Sequence, residues 1–560
     1  MRFVWALCCL LCVCGTAFAL DRETFTFTNY DLNLRVEPEQ QRLAVRGRIT
    51  LRNDSTAPQK SLALQISSTL DWRSIQIDGK PVQFVTHQYT SDIDHTGALS
   101  EAIVTLPAEV APKASLDLDI GYEGVIPLDA TRLTRVGLPE DKAKHSDWDQ
   151  ISKSFTAVRG IGYVAWYPIA TEAVNLSEAD SVADAVGRWT SRHADSEMSV
   201  LIESTSDREI FFSGTQNTGV QHSEQSVGKI GSFRMVRPGV SVPAFVIAPY
   251  QKLPHRDFLD VGFFSGQQDA AEAYAEVAGS VDPPVGRGSR GLQILSLPDA
   301  RDVAFVTQGL MLTPLKTPLT NEIELAIVYA IARQMVLSPR AWIQDGLSHY
   351  AQAEFVEEQK GRQAALDYLD SHKSVLLQSE TKGEASSSSR NRPLISGLDD
   401  LYLQVKAMYV WWMLKDMLGA SLNAALLSYQ TDEDTNDAYM QKLLEKNSRR
   451  DLQWFLDDWV CHDRGLPDFR VASVFSSPVK TGGFLVTITV ENLGDAGAEV
   501  PITLQMETGE IRKRLEVHAR SKASLRIEAT SAPKQVTIND GSVPESDASN
   551  NTFKIESAKN

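Results

Sequence analysis

Asp345 and His349 stand four residues apart in the stretch WIQDGLSHYAQAEF, a spacing that sets a carboxylate and an imidazole on one face of a helix. Such a pair can begin a metal site or an acid/base pair, and it is also a common solvated or structural pair. A hydrolytic zinc site takes about three protein ligands and leaves a position for water. The ten histidines are scattered, and no two lie three or four apart, so no helix offers paired imidazoles. Asp345 and His349 therefore read as a structural pair rather than the nucleus of a metal centre.

Other reactive patterns are weaker still. There is no Gly-x-Ser-x-Gly nucleophile elbow and no Gly-Lys-Ser/Thr phosphate loop. The run Gly286-Arg287-Gly288-Ser289-Arg290-Gly291 matches the dinucleotide fingerprint, yet it follows Pro283-Pro284 and precedes a strand. That is the reverse of strand, loop, helix, and it reads as a turn. Cys461, beside Trp459 at a helix end, reads as packing. The other four cysteines, Cys8, Cys9, Cys12 and Cys14, fall within an N-terminal leader.

That leader spans residues 1–19: Arg2 as the positive end, an apolar run over residues 3–13, and Ala17-Phe18-Ala19 as a small-x-small cleavage site. It implies export, to a secreted or periplasmic location, with no membrane span after cleavage. One cysteine is left in the mature chain, so no intrachain disulfide is expected and the cores must hold by packing. The formal charge of -17 and the pI near 5.1 exclude a nucleic-acid or anionic-membrane binder, which needs basic surface.

At 560 residues, 42% hydrophobic and 23% charged, the chain is long enough for several cores. Residues 20–252 alternate with period two (Tyr30, Leu32, Leu34, Val36; Leu43, Val45, Ile49, Leu51), the pattern of an N-terminal β-sandwich. SEADSVADAVGRWTS is a short helical exception. Residues 253–467 shift to three-and-four spacing, as in NEIELAIVYAIARQMV and DLYLQVKAMYVWWMLKDML, which predicts a mostly α domain. Asn321 is the expected N-cap of the first of these helices, and Gly419 ends the second. The polar TKGEASSSSRNRP reads as an exposed loop. Residues 468–560 return to alternation and predict a second, immunoglobulin-like β-sandwich ending near Lys554.

The order of these segments, with YDLNLRVEPEQQRLAVRGRITLRN, GIGYVAWYPI, WIQDGLSHY, KAMYVWWMLKDMLG and DLQWFLDDWVCHDRGLPDF in sequence, resembles the aminopeptidase N family of zinc metallopeptidases. The resemblance implies a thermolysin-like (gluzincin-type) domain between two sandwiches. The family holds zinc with His-Glu-x-x-His, the glutamate activating the metal-bound water. Aligned here, the motif falls on Tyr329, Ala330, Ile331, Ala332 and Arg333, so both imidazoles and the general base are missing. The third ligand, a glutamate in Trp-Leu-Asn-Glu-Gly, corresponds to Asp345 in Trp342-Ile343-Gln344-Asp345-Gly346, after a shortened connection. The Gly-x-Met-Glu-Asn strand has no counterpart in LPDARDVAFVTQGLML. The tyrosine that stabilises the oxyanion falls on Gln404, with Tyr402 two residues away.

The sequence thus leads us to expect an exported pseudopeptidase without zinc, without catalytic residues, and with a cleft that binds a peptide or a protein. Its degenerate site is Tyr329, Ala330, Arg333, Asp345 and Gln404, with His349, Tyr402 and Lys406 facing the cleft. Arg333 is expected to occupy the vacated metal position and pair with Asp345. An active metallo-aminopeptidase with a non-standard zinc site, and a structural or assembly component, are the competing expectations.

Overall fold

The structure, a computed structural model, describes residues 20–555 apart from 179–180, 218–227, 257, 282–290, 384–392, 395–400 and 481. The expected leader therefore lies outside the described residues, as do nearly all of the Gly286-to-Gly291 turn and most of the serine-rich stretch. The described residues form a multidomain assembly of six sheets and eleven α-helices. None of these helices is long and apolar enough to cross a membrane.

Residues that alternate in sequence alternate in burial. Tyr30, Leu32, Leu34 and Val36 of the strand Phe25–Glu37 are buried, as are Leu43, Val45, Ile49 and Leu51 of its antiparallel neighbour Arg42–Asn53. These strands lie in the middle of an eight-stranded sheet. A three-stranded sheet of Gln59–Ser67, Ala98–Val110 and Gln83–Thr90 contributes Leu62, Leu64, Ile66 and Val104 to the same apolar cluster. The other neighbour of Phe25–Glu37 is Glu197–Ser204, which the chain reaches much later and which runs parallel to it, Asn29 opposite Glu197 and Val36 opposite Ser204. The helical exception is the helix Ser181–Arg192.

The segment from residue 253 is less uniformly helical than its periodicity suggests. It opens with a mixed five-stranded sheet in which Leu259–Phe263, Leu292–Ser296 and Leu310–Thr313 run parallel. Leu292–Ser296 and Leu310–Thr313 are buried almost throughout. Short continuous apolar runs of that kind carry no period-two signal, which is why alternation missed them.

Helices follow. Asn321–Ala332 is capped by Thr320, whose hydroxyl accepts from the Ile323 amide; Asn321, the expected cap, is instead its first residue. Ala341–Lys360 packs on it, and Arg362–Gly383 and Leu401–Leu418 pack on Ala341–Lys360 and on each other. The second and last of these four cross at Gly346. A Cβ there would lie 2.8 Å from Ala407 Cβ and 3.1 Å from the Trp411 ring, so only glycine admits the approach. Trp411 seals the crossing, stacking on Trp342 at 5.2 Å and donating its indole N–H to the Trp342 carbonyl at 2.8 Å.

After Phe469 two sheets form: Phe469–Pro478, Phe484–Asn492 and Lys522–Ala529 in one, and Glu510–Val517, Ala498–Met506, Pro533–Ile538 and Thr552–Lys554 in the other. Their inward residues, among them Val486, Ile488, Val500 and Ile502, belong to the same apolar cluster as Trp411, Trp412 and Trp459 of the helices.

Candidate functional site

The Asn321–Ala332 helix ends at Arg333, and the next begins at Ala341, so a short connection turns the chain back on itself. Tyr329 and Arg333, four apart, look out from one face. The second helix brings Asp345 opposite them. Asp345 Oδ1 accepts the Tyr329 hydroxyl at 2.8 Å and ion-pairs with Arg333 Nη1, which also donates to the Tyr329 oxygen at 2.9 Å. The phenol thus receives one hydrogen bond and gives another, using both of its capacities. The Arg333 and Asp345 side chains are only 14% and 9% exposed. Arg333 Nε is buried without a partner, so the guanidinium spends its donors unevenly.

His349, one turn beyond Asp345, lies with its ring 5.1 Å from that of Tyr329, and its Nδ1 bonds Gln352 Oε1 at 3.0 Å. Tyr329, Arg333, Asp345 and His349 therefore form one cluster. Ala330, expected at the general-base position of the site, is fully buried in the core beneath the cluster and has no group to offer.

Lys406 departs from expectation. It is 1% exposed and pairs with Asp463 at 2.5 Å, and Tyr402 donates its hydroxyl to the same carboxylate at 2.9 and 3.0 Å. Lys406 is thus part of a buried polar knot with Asp463 and Trp459, not a cleft residue. Residues two apart on a helix point to nearly opposite sides, so Lys406 turns away from the side that Gln404 presents. Gln404 itself is partly buried.

Three residues that motif reasoning passed over hold the cluster's frame. Gln344 donates to the Arg333 carbonyl at 3.0 Å and accepts from the Ser338 amide at 2.9 Å, bracketing the connection between the helices. Gln334 accepts the Gly309 amide and donates to the Ala330 carbonyl at 2.8 Å, tying the helix to the mixed sheet. From the N-terminal body, Arg237 donates to the Leu337 carbonyl at 2.8 Å and to the Thr431 carbonyl at 2.7 Å. The connection is closed by a further knot in which Ser338 and Tyr429 donate to Asp434 Oδ2 at 2.6 and 2.7 Å and Arg340 pairs with its other oxygen. The sequence signal was there for Gln344 and Gln334 alone: each is a polar residue inside an apolar helical stretch.

The donor set does not fit zinc. Asp345 is the one carboxylate of the cluster and is engaged by a guanidinium that stays protonated and cannot ligate a metal. Among the described residues no group of three or more His, Cys, Asp or Glu is arranged to hold a metal ion. The cluster can neutralise a buried carboxylate and lock two helices together.

No family profile matches the chain, and no curated protein matches it. Among solved structures it is similar to a mutant M1 zinc metallopeptidase from Deinococcus radiodurans bound to a Tyr-Ser-Ala substrate. The identity is 15%, the match covers 80% of this chain and 97% of that one, and the TM-score is 0.48.

Proposed function

We propose that the chain is an aminopeptidase N-like pseudopeptidase that holds no catalytic zinc and acts by binding a peptide or protein. The carrying observation is the pairing of Arg333 with Asp345 where the family's motif would place metal and ligand. A guanidinium there supplies the positive charge that a carboxylate between two helices requires, and it removes that carboxylate from coordination. In this reading the mature chain begins after residue 19, is exported to the periplasm or beyond the cell, and divides into units at 20–252, 253–467 and 468–560.

The test is the zinc content of the purified mature protein, read by elemental mass spectrometry after loading with zinc and dialysis, together with hydrolysis of aminoacyl substrates. We expect well under one zinc per chain and no chelator-sensitive cleavage. About one tightly held zinc, with cleavage that a chelator abolishes, overturns the proposal in favour of an active enzyme with a non-standard site.

A further inference from the structure

The sheet of Phe469–Pro478, Phe484–Asn492 and Lys522–Ala529 ends at Phe469–Pro478, which among the described residues has a strand on one side only. The facing sheet ends at Thr552–Lys554. These two outer strands pack together, so both open edges run along one flank of the sandwich. An open edge offers unpaired N–H and C=O groups as a template for another strand, and proteins blunt such edges with bulges, prolines and charge. Here the bulge between Val471 and Ser473 and the proline at 478 guard only the ends. Between them residues 473–477 pair regularly with 489–485 and carry no charge. Phe475 in their middle is 68% exposed, and Phe553 on the neighbouring edge is 38% exposed.

The charge of this flank is opposite to that of the chain. Its stretches 469–480, 533–538 and 552–555 hold Arg470, Lys480, Lys534 and Lys554 and no Asp or Glu, although the whole chain has 72 acidic residues to 55 basic ones. Arg470 is paired with Glu491 at 2.7 Å. Lys480, Lys534 and Lys554 are exposed and have no ion pair among the described residues. A second copy would bring the same lysines to the same edge, and like charges oppose that pairing.

We propose that this flank docks an extended acidic segment of a partner protein, which adds to Phe469–Pro478 as a strand, covers Phe475 with an apolar side chain and sets carboxylates against Lys480, Lys534 and Lys554. Main-chain hydrogen bonds supply the attachment, and alternate side chains supply the choice of partner. An acidic segment is repelled by most of a chain of charge -17, so charge directs it to this flank. The surface belongs to the second sandwich and draws nothing from the Arg333 cluster.

The experiment is a titration of the purified mature protein with a labelled peptide of alternating Glu and Val, about eight residues long to match an ordinary strand, read by fluorescence anisotropy. Saturable binding is expected below about 1 mM. A peptide of equal charge with prolines at its central Val positions cannot pair as a strand and is expected to bind about 10-fold more weakly or worse. Combined Lys480→Glu, Lys534→Glu and Lys554→Glu is expected to weaken the Glu-Val peptide about 10-fold; if that variant does not fold, Phe475→Ser decides, with a loss of roughly 3-fold. No binding below about 1 mM overturns the proposal. Equal binding of the proline peptide overturns it in favour of a plain polyanion surface, and binding untouched by the substitutions overturns it by sending the peptide elsewhere on the molecule. Dimerisation in sedimentation that Phe475→Ser abolishes, in place of peptide binding, assigns the edge to a second copy and overturns it as well.

Discussion

A guanidinium carries one positive charge and cannot shed it, so Arg333 and Asp345 are each other's condition for burial. Replacing Arg333 by Met leaves the carboxylate with the Tyr329 hydroxyl alone and should cost about 3–5 kcal/mol in thermal or denaturant unfolding. The paired change Arg333→Met with Asp345→Leu should recover most of that loss. Equal stability of wild type and Arg333→Met would mean that the pair does not secure the helices. This pair was legible in the sequence because a four-residue helical spacing and one aligned motif sufficed to place both side chains. The glutamines that frame it show in the sequence only as polar residues inside apolar stretches, since their work is to satisfy backbone carbonyls and amides, and residue type does not name such partners.

At the scale of elements, the crossing at Gly346 decides whether the site exists at all. It brings the helix bearing Asp345 against Leu401–Leu418 with no room for a side chain, and it fixes the rotation from which Asp345 meets Arg333. Gly346→Val should force the helices apart, destabilise the chain by roughly 1–3 kcal/mol and weaken the near-ultraviolet circular dichroism of the Trp342–Trp411 stack. An unchanged spectrum and melting temperature would show that the crossing tolerates a side chain. Strand alternation in Phe25–Glu37 and Arg42–Asn53 and the periodicity of helices such as Arg362–Gly383 could be read directly, because one face of each of these elements meets solvent. The mixed sheet ahead of those helices could not, because its strands are covered on both faces and display no contrast.

Across the whole molecule, Arg237 ties the N-terminal body to the connection between the site helices. It is 5% exposed and spends its guanidinium on the carbonyls of Leu337, Thr431 and Asp434, so it holds backbone rather than charge. Arg237→Leu should leave acceptors unsatisfied at an expected cost of about 1–3 kcal/mol, seen as faster amide exchange across residues 333–340 while the N-terminal sheet keeps its protection. Exchange no faster than in wild type would mean that the connection is held from within the helical unit.

The parallel pairing of Phe25–Glu37 with Glu197–Ser204 has a temporal meaning as well. The first strand of the described residues sits at the centre of its sheet, and its second flank arrives only when residues near 200 are available. Until then one side of that strand is an open template of unpaired amides and carbonyls, the kind of edge that invites association with other chains. Contacts this distant in sequence close slowly. In a chain still being made, its earliest strand therefore stays half open until about 170 further residues have followed it.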